Sequence, residues 1–231
     1  MKHVDRAIVL AAGLGTRLKW LTNDRPKALM QIAGMPVLAH VIHRLVAQGI
    51  HDIAINVHHH ADILIDAMGD GAQFGARLVF SREPELLDSG GGVAQALRLL
   101  PGDGLFAVHN ADVLADVDIQ ALAVCTPQGG ACLALVSNPA HHPQGDFGLQ
   151  GGLISRDVIS RNGDVRYTFA GVSVWDEVVF DGPSAGSAFP LMRPMQQLID
   201  CGRLAGLLHH GAWFDIGRPY DLMRARRQWH G

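Results

Sequence analysis

Ala7-Ile8-Val9-Leu10-Ala11-Ala12-Gly13-Leu14-Gly15-Thr16-Arg17-Leu18, followed at a short distance by Arg25-Pro26-Lys27-Ala28-Leu29, is the stretch on which the fold turns. Its apolar start reads as a strand buried on both faces, the pattern of a parallel sheet covered by helices. The strand runs into a loop of small residues, which lets backbone N–H groups approach an anion closely. Arg17 and Lys27 bring positive charge to that loop, and Pro26 stiffens the backbone before Lys27. The combination predicts a polyphosphate cradle. The alternative is a tight turn with solvated cations. Gly13-x-Gly15 has no third glycine at the dinucleotide-binding spacing, because position 18 is Leu, and the loop lacks the Gly-Lys-Ser/Thr ending of a P-loop.

Outward from this stretch the pattern alternates. Helices are expected over 36–48, stopped by Gly49, over 61–68 and over 90–100, and strands over 53–57, 78–81 and 105–110. Such alternation predicts an α/β fold with ligands beyond the carboxyl ends of its strands. Ala11-Ala12-Gly13 and Asn110-Ala111-Asp112 both fall at such ends. The second half is richer in short strands, expected at 131–137, 145–149, 153–155, 165–167, 172–175 and 204–208, with an Asn162-Gly163 turn. Two more helices are expected there, over 189–201 and 220–229. No linker is visible. The chain reads as one domain over 1–231, with the second half extending the sheet and adding a lid-like region.

Asp112, at the end of a buried strand, faces the expected crevice, and hard carboxylate oxygens suit Mg²⁺; a lone aspartate there is more often a cap or turn residue, and a second carboxylate shifts the balance. Asp215, in Trp213-Phe214-Asp215-Ile216-Gly217, sits in an apolar setting where an unpaired carboxylate is costly, so it calls for a cation or donors. Its alternative is a cap for the last helix. Ser89-Gly90-Gly91-Gly92 opens a helix at a cost in helix stability, for which close approach of a ligand is one reason and a flexible entry loop another. Thirteen histidines include His58-His59-His60, His141-His142 and His209-His210. Without matching Cys or Glu spacing they read as a polar rim rather than a zinc site.

Composition excludes several classes. The 231 residues are 48% hydrophobic, with a net charge of −3 and no basic run, which argues against nucleic acid as a partner. The first apolar run is too short for a signal peptide or a membrane span. Three scattered cysteines without CxxC spacing read as reduced, buried thiols of a cytoplasmic protein.

The segments 10–18 and 25–29, Asn110-Ala111-Asp112, and Phe214-Asp215-Ile216-Gly217 resemble, in order, the signature of the sugar-1-phosphate nucleotidyltransferases. Asp88-Ser89-Gly90-Gly91-Gly92, Asn138-Pro139-Ala140-His141-His142, Gly145-Asp146-Phe147 and Thr168-Phe169-Ala170-Gly171 are similar to the N-acetylmuramate α-1-phosphate uridylyltransferase branch. The resemblance implies a three-layer, Rossmann-like (GT-A-like) fold with a mixed, mostly parallel sheet. It divides the domain into a nucleotide-binding half, 1–115, and a sugar-binding half, 116–231. It implies Mg²⁺-dependent transfer from a nucleoside triphosphate, UTP favoured, to a sugar 1-phosphate, by a monomer or small homo-oligomer without membrane attachment.

Its residue assignments are Arg17 and Lys27 as catalytic cations and Asp112 and Asp215 as metal ligands. Ala11, Ala12, Gly13, Gly15, Thr16, Ser89, Gly90, Gly91 and Asn110, together with Arg17 and Lys27, would bind nucleotide; Asn138, Asp146 and Gly171 would bind sugar. Alternatives are a hexose 1-phosphate or phosphocholine transferase using another base, and an inactive nucleotide-sugar-binding regulator. Ala111 stands where glycine is commoner, Ala28 where proline is, and Asp88 where glutamate is usual. A second sugar-side lysine has no counterpart, and no hexapeptide repeat follows.

Overall fold

The opening apolar run is the centre of one large sheet. A computed structural model describes residues 2–13, 15, 25–155, 166–182 and 186–229. In the first half, β1 (Arg6–Leu10) is followed by a small hairpin, β2 (Gln31–Ile32) and β3 (Met35–Pro36), and then α1 (Val37–Val46). Next come β4 (Asp52–Val57), α2 (Ala61–Met68), β5 (Arg77–Arg82), α3 (Asp88–Leu97), β6 (Leu105–Asn110) and β7 (Val113–Ala115). The second half holds α4 (Ile119–Cys125), β8 (Ala131–Val136), β9 (Phe147–Gln150), β10 (Leu153–Ser155) and β11 (Arg166–Asp176). It closes with α5 (Met192–Asp200), β12 (Leu204–Leu208), β13 (Trp213–Asp215) and α6 (Pro219–Gln228).

Nine strands form one sheet in the order β5-β4-β1-β6-β11-β8-β12-β10-β9. The β5-β4-β1-β6 block is parallel throughout. β11 then runs antiparallel between β6 and β8, β12 returns parallel to β8, and β10 and β9 are antiparallel. The sheet is mixed, as expected. The expected strands at 165–167 and 172–175 are one long strand; Gly171 interrupts the sequence pattern but sits in a register shift between Phe169 and Ser173.

Two apolar layers flank the sheet, making three layers in all. Alternate strand residues Val9, Ile55 and Val174 pack with Leu38, Ile42, Leu64, Leu122 and Leu222 of α1, α2, α4 and α6. Ile8, Ala54, Phe106, Leu133 and Trp175 face the other way, onto Val93, Ala96, Met195 and Leu198 of α3 and α5. The period-2 alternation of the strands and the 3.6-residue stripe of the helices meet here. Helix α1 ends as read, with Gly49 at φ +82° donating to the Val46 carbonyl at 3.0 Å.

Of the cysteines only Cys132 is buried, and burial, followed by the neighbouring Cys125, pushes its thiol up to about 12. Cys125 and Cys201 are exposed, which corrects the expectation of three buried thiols: each ends a short helix at the surface. No helix among the described residues is long and apolar enough to cross a membrane.

Candidate active site

Parallel strands bring three residues to one level at their carboxyl ends: Leu10 pairs with Asn56 on one side and Asn110 on the other. The chain leaves each strand here, and two cavities open at this edge.

The first cavity, of about 600 Å³, includes Leu10, Ala12 and Gly13 after β1, Asp88 and Ser89 at the start of α3, and Asn110 and Asp112 after β6. A Cβ on Gly13 would meet nothing within 4 Å, so this turn opens onto the cavity. Gly15 takes φ +64°, a backbone that favours glycine. Thr16 and Arg17 lie outside the described residues. The amides of Ala11 and Ala12 do not face an open anion site. Both donate to Asn56 Oδ1, at 2.7 and 3.4 Å.

Asn56 is a site element that the sequence reading passed over, and Glu83 is another. Asn56 Nδ2 donates to Glu83 Oε1 at 2.7 Å, and Glu83 Oε2 accepts from the Leu87 amide at 3.0 Å. Both side chains are buried. The signal for Asn56 was its place, a polar residue near the end of an otherwise apolar strand. Glu83 carried none, since one acidic residue among Glu83, Glu85 and Asp88 looks like the next.

The glycines of α3 have a different reason from the expected ligand approach. Gly90 and Gly91 both donate their amides to the Phe189 carbonyl, at 2.9 and 3.1 Å. A Cβ on Gly90 would run into the Phe189 ring, and one on Gly91 into the Ser187 carbonyl. The close approach is therefore made by the chain itself, and of Ser89, Gly90 and Gly91 only Ser89 lines the cavity. Asp88, also on the cavity, holds φ +58°, which an aspartate tolerates better than most residues.

The second cavity, of about 270 Å³, shares Asn110 and Asp112 with the first. Asp215, Trp213 and Arg218 reach it from the last strand and the turn after it; His141 and His142 reach it from the loop between β8 and β9; Gly171 reaches it from the irregularity in β11. Strands β7 and β13 pair, with Asp215 opposite Val113, and the Ile216 amide donates to the Asp112 carbonyl at 2.8 Å. That small ladder brings Asp112 and Asp215 to one cavity although 102 residues lie between them in the chain. Asp215 does not cap α6, which begins at Pro219 after Arg218. Lys27, carried by a single turn of 3-10 helix after Pro26, makes an ion pair with Asp112 and is only 11% exposed.

The residues expected to touch sugar divide. Gly171, at φ +78°, lines the second cavity, and a Cβ there would stand 2.8 Å from Asn110 Nδ2. Asn138 does not line it. Its amide donates to the carbonyls of Pro143 and Arg166, at 3.1 and 3.0 Å, and its oxygen accepts from Thr168 at 2.9 Å, so it braces the loop that carries the histidines. Asp146 also stands behind the cavity: Oδ2 accepts from the Phe169 amide at 2.8 Å, and Oδ1 lies 2.9 Å from His142 Nε2. Both residues bond to neighbouring loop and strand groups and neither lines the cavity.

His109, one residue before Asn110, is buried; burial drops its imidazole to about 4, against the smaller upward pulls of the Asn110 carbonyl and Asp112. It is therefore neutral beside the cavities.

Residues 6–230 match the model of the family described as nucleotidyl transferase. The chain belongs to the nucleotidyl transferase family. A relative from Neisseria meningitidis, 38% identical with 96% of each chain covered, is an N-acetylmuramate alpha-1-phosphate uridylyltransferase. So is one from Caulobacter vibrioides, 36% identical with 95% of this chain and 94% of that one covered. Among solved structures, HddC from Yersinia pseudotuberculosis complexed with GMP-PN superposes with a TM-score of 0.80 over 98% of this chain and all of that one, at 22% identity, a likeness of fold. The resemblance read in the motifs, to the nucleotidyltransferases and within them to the muramate branch, is thereby borne out.

Proposed function

We propose that this nucleotidyltransferase moves a uridylyl group from UTP to N-acetylmuramic acid 1-phosphate, giving UDP-N-acetylmuramic acid and pyrophosphate in the cytoplasmic recycling of peptidoglycan. The observation that carries this reading is the seam formed by Asn110 and Asp112, common to two adjoining cavities. Two substrates placed in them meet at that seam. The larger cavity takes the nucleotide and draws its lining, Ala188 apart, from residues 1–115; the smaller takes the sugar and, apart from Asn110, Asp112 and Val113, is lined by residues 141–218. The muramate relatives support the choice of acceptor and of UTP.

The chemistry needs positioning and charge neutralisation more than a protein nucleophile. An oxygen of the acceptor phosphate, already anionic, forms a bond to the α-phosphorus of UTP. The bond from that phosphorus to the bridging oxygen breaks, and pyrophosphate leaves with the electron pair. Gly13 and Gly15 give the triphosphate room, and Thr16 and Arg17, placed from sequence, complete its cradle. Lys27 neutralises charge near the α-phosphate.

Asp112 and Asp215 offer hard oxygen donors on one cavity and fit Mg²⁺, which takes one or two carboxylates and leaves its other positions to water and phosphate oxygens. Among the described residues no group of three or more potential ligands would form an all-protein cage. When bound, Mg²⁺ supplies charge neutralisation to the triphosphate.

The test is pyrophosphate release with each of four nucleoside triphosphates against a panel of sugar 1-phosphates. Release is expected with UTP and N-acetylmuramic acid 1-phosphate. Preference for another pair, or silence with all of them, refutes the assignment.

A further inference from the structure

The smaller cavity holds cationic and donor groups beyond those that a neutral sugar needs. Hydroxyl groups are read by neutral donors and acceptors, and the acceptor phosphate belongs at the seam beside Asp112 and Lys27. Yet the cavity also holds Arg218, whose guanidinium has no ion-pair or hydrogen-bond partner among the described residues, together with His142. An ionised aspartate only accepts, so Asp146 places the proton of His142 on Nε2 and leaves Nδ1 as the ring nitrogen without a partner among the described residues. Asp146 is itself fixed by the Phe169 amide, and its loop is fixed by Asn138. A histidine held by a carboxylate on one nitrogen, on the same cavity as an arginine with no partner among the described residues, suits an anion on the other nitrogen.

We infer that His142 and Arg218 bind a second anionic group of the acceptor, a carboxylate carried on the sugar apart from its phosphate. Asp146 is the positioning residue of this subsite. The inference rests on the proposed nucleotidyl transfer and adds what selects the acceptor. N-acetylmuramic acid 1-phosphate carries such a carboxylate on its lactyl ether, and N-acetylglucosamine 1-phosphate does not. With both ring nitrogens protonated, His142 gives one N–H to Asp146 and the other to the substrate oxygen.

The test measures kcat/KM with UTP and Mg²⁺ for three acceptors: N-acetylmuramic acid 1-phosphate, its lactyl carboxamide and N-acetylglucosamine 1-phosphate. Wild type should prefer the acid. His142→Ala and Arg218→Ala should each lower kcat/KM for the acid about tenfold or more, the scale of a charged hydrogen bond, with a loss for the carboxamide at least about fivefold smaller. Asp146→Asn keeps an oxygen for Phe169 but turns an NH₂ toward His142. It should shift the acid-to-carboxamide ratio in the same direction and add nothing to His142→Ala, a pattern that a general loosening of the loop does not give.

Equal losses on acid and carboxamide would assign both residues to the shared phosphate or to the fold and overturn the inference, as would no loss at all. A wild-type preference for an acceptor without the carboxylate overturns it while leaving nucleotidyl transfer standing. Failure to transfer to any acceptor removes the transfer reading, and the subsite with it.

Discussion

Asn56 and Glu83 are joined by a 2.7 Å hydrogen bond that ties the loop after β1 to the entry of α3. Through it the amides of Ala11 and Ala12 and that of Leu87 are held by one buried pair. Gly92 makes room for it: a Cβ there would lie 2.5 Å from Asn56 Nδ2 and 2.7 Å from Glu83 Oε1. Gly92→Ala should therefore cost about 1–3 kcal/mol in urea unfolding, as overpacking does. It should also raise KM for the nucleoside triphosphate more than KM for the acceptor, because the displaced loop borders the larger cavity alone. Equal effects on both constants would dissociate the pair from the nucleotide.

Lys27 and Asp112 meet at the seam. Lys27→Ala should lower kcat by roughly a hundredfold or more, as removal of a preorganised electrostatic group does. Asp112→Asn should abolish turnover with the fold retained by circular dichroism. Chelation of wild type by EDTA should stop pyrophosphate release, and excess Mg²⁺ should restore it. Near wild-type turnover in either variant would remove that residue from the chemistry.

The buried His109 gives stability a pH dependence of definite sign. Its folded value of about 4 lies below the ordinary 6.5, so between these the unfolded chain binds a proton that the folded chain refuses. Stability is full above pH 6.5 and falls as the pH drops through that window. Urea unfolding at pH 5 should show about 2 kcal/mol less stability from this residue than at pH 7.5. His109→Gln should flatten the slope; an unchanged slope would trace it to other groups.

At the opposite end of β1, Arg6 is 2% exposed and pairs with Glu177 at 2.6 Å while donating to the Gly102 carbonyl at 2.6 Å. Desolvation pushes the Glu177 carboxyl up, but the Gly104 backbone and the Arg6 guanidinium together outweigh it and hold the carboxyl below its usual range. Stability from this depressed acid is present above the ordinary carboxyl value and is lost as the pH falls through the folded one. Glu177→Gln leaves the Arg6 charge buried and should cost about 2–3 kcal/mol at pH 7, with kcat untouched. A large fall in kcat would reveal coupling along the strand.

Much of this architecture was legible because it is local. The apolar run of β1, the stripe of α1 and its Gly49 stop, and the alternation of β4, α2, β5, α3 and β6 are written in neighbouring residues. Short or distant pieces were not. Helix α4 has seven residues, too few to show a period, and the ladder of β7 with β13 has three residues on each strand. The placement of β11 between β6 and β8 depends on pairing that no local window contains. Asp112 and Asp215 were picked out by type and setting. Asn138, Asp146, Gly90 and Gly91 looked like direct contacts because a residue that holds another in place has the same sequence signature as one that touches ligand.

The course of β11 has a consequence for how this chain can be divided. It fills the gap between β6 and β8 and also pairs with β9, lacing early and late segments into one ladder. A fragment ending at Ala115 would expose the flank of β6 as a raw hydrogen-bonding edge, prone to recruit foreign strands. Although the larger cavity draws mainly on the first half of the chain, the chain is not modular: severed pieces should aggregate when expressed apart and regain solubility only when produced together.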